Sequence, residues 1–115
     1  MIIPKMKNFQ IEKYIDDGEI IRKTIHQIKK DLSFFGLNFI IAIDDLNVNH
    51  IKNQLAVIVK DLLVKDSEKL FSLLYRIDIP EEKLKNIPAE ISYEKFISQL
   101  ILERELLKVI IRKNI

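Results

Sequence analysis

The chain has no cysteine and no tryptophan, and its 115 residues include only 2 glycines and 3 prolines. Without cysteine there can be no disulfide, no thiolate metal site and no cysteine nucleophile. So few glycines and prolines leave little material for the many turns of a β-sandwich or for a glycine-rich phosphate loop. Long apolar runs are missing too. Leu37 to Ile43 is among the longest, far short of the roughly 18 residues that span a bilayer. The opening Met1-Ile2-Ile3-Pro4-Lys5 lacks the basic start, apolar stretch and small-residue cleavage site of a signal peptide. The expectation is a soluble, cytoplasmic protein with no membrane role. Nor does one sign of charge dominate. The 19 basic and 17 acidic residues leave a net +2, too little for a strong field toward nucleic acid or membrane.

Hydrophobic residues make up 48% of the chain, ample for one core, and the length suits a single domain over 1–115. With glycine so scarce, helices joined by short connections are the natural use of this material. The predicted fold is an all-α bundle of four or five helices with a long C-terminal helix.

Along the chain, residues 1–8 read as a loosely held arm. A short amphipathic turn with Phe9, Ile11 and Tyr14 follows. Asp16 and Glu19 then have the spacing of a capping box. From there Ile21, Ile25, Ile28, Leu32 and Phe35 recur every 4, 3, 4 and 3 residues, the spacing of a coiled-coil seam. Apart from Ile20 and Phe34 the rest of this helix is polar, and Gly36 supplies its stop. Residues 37–47 are apolar and β-branched, which permits a strand, but no partner strand stands out. A helical or irregular buried connector is preferred.

Asn47 or Asn49 can cap the next helix, about Val48 to Val64. Its core face is Ile51, Leu55, Ile58, Val59, Leu62 and Leu63. Asp66 or Ser67 opens a short helix carrying Leu70, Phe71, Leu73, Leu74 and Ile77, with only a soft break from the helix before. Pro80 reads as the first position of another turn, with Glu81 and Glu82 at its positive end. Pro88 bars continuation through Ile87. Ser92 caps the last helix, to Lys113. A faint echo links Ile15-Asp16-Asp17…Lys30-Asp31-Leu32 with Ile43-Asp44-Asp45…Lys60-Asp61-Leu62. It reads as two helices with similar ends, not a duplication.

Candidate chemistry is thin. Asp45-Leu46-Asn47-Val48-Asn49 opens like a calcium loop, but His50 stands where glycine is needed and Ala56 where a bidentate Glu is needed. Helix capping is the better use of those residues. His26 lies away from the apolar stripe, and His50 sits in a first helical turn. Neither has a His or carboxylate at i+3 or i+4 to make a metal pair. Asp16-Asp17 and Asp44-Asp45 are adjacent residues that point apart, so neither is an acid/base dyad. GxxxxGK[ST], GxGxxG, HExxH and GxSxG are all absent, as are zinc-finger and RNA-recognition motifs. No enzyme activity and no cofactor are implied. Basic residues gather at Arg22, Lys23, Lys29 and Lys30, and again at Lys108, Arg112 and Lys113. Favourable interaction with helix C-termini explains them more simply than a nucleic-acid patch does.

The last helix is the most informative segment. Taking Phe96, Leu100, Leu107 and Ile111 as its main face, Glu103 and Arg104 intrude on an apolar arc. Buried charge needs a partner. Arg76 and Asp78 are the candidates, so the expected polar network or interface is Arg76, Asp78, Glu103 and Arg104.

Leu73-Leu-Tyr-Arg-Ile-Asp-Ile-Pro-Glu81 and Ile101-Leu-Glu-Arg-Glu-Leu-Leu-Lys-Val-Ile-Ile-Arg-Lys113 resemble stretches of small uncharacterised helical proteins of Bacteroidetes-type bacteria. That resemblance implies a helical fold and no residue roles. The surplus of apolar helix faces points to a non-catalytic protein-interaction or scaffolding module that self-associates. The alternative is a weak nucleic-acid-binding or regulatory protein that uses the basic helix ends.

Overall fold

The computed structural model describes residues 13–113 apart from 15 and 43. The arm at 1–8, and Phe9 and Ile11 of the turn after it, lie outside the described residues. Five helices follow in order: α1 (Gly18–Ser33), α2 (Val48–Lys65), α3 (Ser67–Ile77), α4 (Glu81–Lys85) and α5 (Tyr93–Lys113). No strand occurs among the described residues, so the chain is all-α.

Helix ends are set by local chemistry. The N-cap of α1 is Asp17, one residue beyond the expected Asp16; its carboxylate accepts from the Ile20 N–H at 3.2 Å. Glu19 is not half of a capping box but pairs with Lys23 one turn on, at 3.1 Å. At the other end Gly36 takes φ +71°, and the Gly36 and Leu37 N–H groups reach the Ser33 and Leu32 carbonyls, each at 3.0 Å. This is a Schellman stop, and glycine enters the left-handed region without the steric penalty of a side chain. Asn47, not Asn49, caps α2, accepting from Asn49 and His50. Asp66 ends α2 and caps α3, so the two are separate helices. Asp78 closes α3 in the left-handed region, φ 74°, with the Ile79 N–H reaching the Leu74 carbonyl at 3.1 Å. Pro80 sits at the N-cap of α4, one place before the expected first helical position, and makes no side-chain cap. Residues 37–42 and 44–47 form the irregular connector, with Phe39 buried and Ile40 exposed.

The middle of the molecule is α5, which packs on α1 and on α2, while α3 lies against α1, α2 and α5. Four of the five expected seam residues are buried, Ile21, Ile25, Ile28 and Leu32 at most 1% exposed, while Phe35 falls beyond the end of α1 and is half-buried. Its main partner is α5; α2, which the short 34–47 connector would make its antiparallel neighbour, packs on α5 and α3 instead. Sequence neighbours pack side by side only if no longer apolar surface competes, and here α5 competes successfully. Being covered from several sides, α5 buries Ile97, Ile101, Leu102, Leu106, Val109 and Ile110. That face is rotated from the expected one. Phe96, Leu100 and Ile111 are only half-buried, and Leu107 is buried outside the continuous core. Phe71, expected inside, is 51% exposed. Leu106→Ala should therefore cost about 2–5 kcal/mol in urea denaturation, whereas Phe71→Ala should stay within about 1 kcal/mol. Equal losses would place Phe71 in the core.

Candidate functional site

The rotated phase of α5 brings a different acid inside. Glu105, one turn beyond Ile101, is fully buried, and it faces Asp31 of α1, which is also buried. Asp31 lies three residues after Ile28, on the flank of the seam, in line with buried Thr24 and Gln27. Around this carboxyl pair stand two cations. Arg76 of α3 donates through Nε to Asp31 Oδ1 at 3.2 Å. Lys108 of α5 lies 3.0 Å from Glu105 Oε1 and 3.7 Å from Asp31 Oδ2. Gln27 completes the set: its Nε2 donates to Asp31 Oδ2 at 3.1 Å, and its Oε1 accepts from Arg112 Nη1 at 2.6 Å. A chain of contacts thus runs from the core out to Arg112 at the surface. The face of Arg76 meets the Phe34 ring, 4.1 Å from its centroid, a cation–π contact that holds the guanidinium at the rim.

The two carboxyls divide one charge. Burial drives the Glu105 carboxyl up to about 8, and its hydrogen bond with Asp31 pushes the same way; Lys108 opposes both. Burial also raises Asp31, but the hydrogen bonds from Glu105 and Gln27 and the charges of Lys108 and Arg76 outweigh it and hold Asp31 below its ordinary value. The two directions put the proton on Glu105 and the charge on Asp31 near neutral pH. Neither Glu105 oxygen has a hydrogen-bond partner of good geometry despite full burial. A protonated carboxyl is cheaper to bury than an unpaired carboxylate.

Of the four residues expected to form a polar network, two meet. Arg104 Nη2 lies 2.7 Å from Asp78 Oδ2, with the arginine mostly shielded and Asp78 exposed. Glu103 does not join them; it accepts from Gln99 Nε2 at 3.2 Å on the exposed side of α5. Arg76 belongs to the Asp31 cluster instead. The residues that sequence reasoning missed are Asp31, Glu105 and Lys108. The wheel phase of α5 would have exposed Glu105, because Ile97, Ile101 and Glu105 lie four apart, as do Leu102 and Leu106.

His50 pairs with Asp45, Nδ1 to Oδ2 at 3.1 Å, on the exposed first turn of α2. His26 lines a surface groove between α1 and α5. Among the described residues no three His, Asp or Glu side chains gather as a metal site would need. None of the described helices is long and apolar enough to cross a membrane. No family model, curated protein or solved structure matches the chain.

Proposed function

We propose that this chain is a non-catalytic interaction module that pairs with a second copy of itself through the outer face of α3. The supporting observation is the exposure of Phe71 and Tyr75, 51% and 87%, one turn apart on one short helix. The apolar surfaces that suggest self-association from sequence, the α1 seam and the α5 arc, are consumed inside a single chain. Among the described residues the large apolar side chains left outside are Ile40, Val57 and Val64, each outside α3, and the aromatic pair on α3, which Phe34 continues, 67% exposed and in contact with Arg76.

The charges beside this pair favour a second copy over an unrelated partner. Glu68 and Ser72 are exposed one turn apart, and Arg76 continues the row at its edge, half-buried, with its Nε spent on Asp31 and its terminal nitrogens toward the rim. Two α3 helices crossing antiparallel about Ser72 set Glu68 of one copy beside Arg76 of the other, twice, by symmetry. The small serine at the centre permits close approach, and the aromatic side chains of both copies cover the contact. An 11-residue helix is about 16 Å long. Such a face supports a weak, concentration-dependent dimer rather than a permanent one.

Catalysis is disfavoured by access. The Asp31–Glu105 pair has the perturbed protonation of an acid/base group. Glu105, however, has no exposed surface through which a substrate could reach it.

Sedimentation equilibrium tests the proposal. The wild type should gain apparent mass with concentration. Phe71→Ser/Tyr75→Ser should stay monomeric with an unchanged helical spectrum, and Glu68→Lys should weaken pairing. A wild type that is monomeric at all concentrations, or a double variant that still pairs, would overturn it.

A further inference from the structure

The outward surface of α1 is nearly all of one charge. Arg22, Lys23, His26 and Lys30 are exposed there and Lys29 is half-buried; the one acid on that surface, Glu19, lies at the helix start. The C-terminal dipole expected to account for these cations reaches Lys30 but not Arg22 and Lys23, which lie in the first half of α1. Part of this surface folds into a groove of about 330 Å³ against α5, lined by Lys23, His26, Gln27, Lys30, Val109 and Arg112. Among the described residues no carboxylate lines it. Lys23, His26, Gln27 and Lys30 are spaced 3, 1 and 3 apart, one stripe along α1, and Val109 and Arg112 form the opposite wall.

Arg112 is not a free surface side chain. Buried Gln27 accepts from its Nη1 at 2.6 Å, and Gln27 is itself fixed by Asp31 at 3.1 Å. Only one orientation of the Gln27 amide serves both neighbours, with oxygen toward the arginine and nitrogen toward the aspartate. The guanidinium is thereby held over the groove with most of its donors unspent. An arginine held in this way loses less side-chain freedom when it grips an oxyanion. Lys30 and His26 supply further donors across the groove. Lys23 supplies a charge shared with Glu19, 3.1 Å away.

We infer that the α1–α5 groove is a binding site for a phosphate group, gripped by Arg112, Lys30 and His26 and preorganised by Gln27. A phosphate suits it better than a carboxylate, because a dianion with three terminal oxygens matches several cations and donors arriving from two helices. A phosphate-bearing small molecule suits it better than a nucleic acid. The lining has no aromatic ring on which a base could stack, and the chain's net charge is only +2. This site is separate from the α3 face and does not depend on self-association.

Amide-resolved NMR titration of the intact chain tests the site, with three probes: inorganic phosphate, ribose 5-phosphate and a 20-nucleotide single-stranded DNA. Saturable shifts should appear with the first two and be confined to residues 23–30 and 109–113. Tighter binding of ribose 5-phosphate identifies the source as a phosphate monoester; equal binding identifies free phosphate. Arg112→Gln and Lys30→Gln should each weaken binding about tenfold, near 1.4 kcal/mol. Gln27→Met removes no charge, yet it should weaken phosphate binding severalfold by freeing Arg112, while its dispersed spectrum reports an intact fold. Absence of saturation with both phosphates, shifts spread over lysines elsewhere, or binding of the DNA alone would overturn the assignment.

Discussion

Thermal stability should fall as the pH rises from about 5 to about 8, the reverse of what surface carboxylates produce. Glu105 accounts for this. In the unfolded chain it ionises near 4.5, whereas in the fold it holds its proton to about 8. Between those values the folded state binds a proton that the unfolded state has released, so each step upward in pH favours unfolding. The loss is complete once the pH passes the folded value. Its full extent is on the order of 5 kcal/mol. Asp31 acts in the other direction at the acid end. Held below 3.8, it contributes stability above that pH and loses it as the pH falls through its depressed value. The maximum should therefore lie in the mildly acid range between the two. Glu105→Gln keeps the shape and can still donate to Asp31, but it cannot ionise. Melts of the variant should be flat across pH 5–8, and above pH 8 the variant should be more stable than the wild type. A wild-type melt independent of pH over that range would show that Glu105 ionises as an exposed acid does.

Removing the charge of Asp31 should have the largest effect of any single substitution in the cluster. Asp31→Asn leaves Arg76 and Lys108 facing the core without the carboxylate that compensates them. Breaking a buried pair in this way costs about 3–5 kcal/mol, to be read from urea denaturation at pH 7. A second consequence concerns the Glu105 proton. With Asp31 neutral, Lys108 has Glu105 as its remaining acidic neighbour, 3.0 Å away. Glu105 should then give up its proton at lower pH, and the fall in stability between pH 5 and 8 should shrink. An Asp31→Asn protein with wild-type stability would mean that the cluster is solvated rather than sealed. One that keeps the full pH dependence would mean that Asp31 has no hold on the Glu105 proton.

Much of the architecture was legible because it depends on neighbours in the chain. Helix content, the Gly36 stop and the α1 seam all follow from residues within a turn or two, and so do the α2 and α3 caps to within two candidates each, Asn47 or Asn49 and Asp66 or Ser67. At each of these positions a local hydrogen bond or a single backbone angle decides the outcome. Where two residues could do the same work, as with Asp16 and Asp17, local reasoning placed the cap one position early.

The candidate site was legible in part. Arg104 and Asp78 could be paired because a buried-side cation on α5 needs an acid and α3 ends in one. Glu103 reads as an inward acid only if Phe96 and Leu100 form the core face; the true face runs through Ile97, Ile101 and Glu105. On a helix apolar around most of its circumference, the hydrophobic pattern alone cannot fix the phase, since every rotation buries leucine and isoleucine.

The sequence by itself therefore determined an all-α chain, most of its helix ends and which stripe of α1 turns inward. Those outcomes rest on short-range capping and on a narrow apolar seam with only one favourable orientation. Only the tertiary structure decided that α5, not α2, covers that seam, that Glu105 rather than Glu103 is the buried acid, and that Lys30 and Arg112 face one groove. Each of those depends on which surfaces lose the most water when helices far apart in sequence compete for contact, and that competition is settled among all the helices at once.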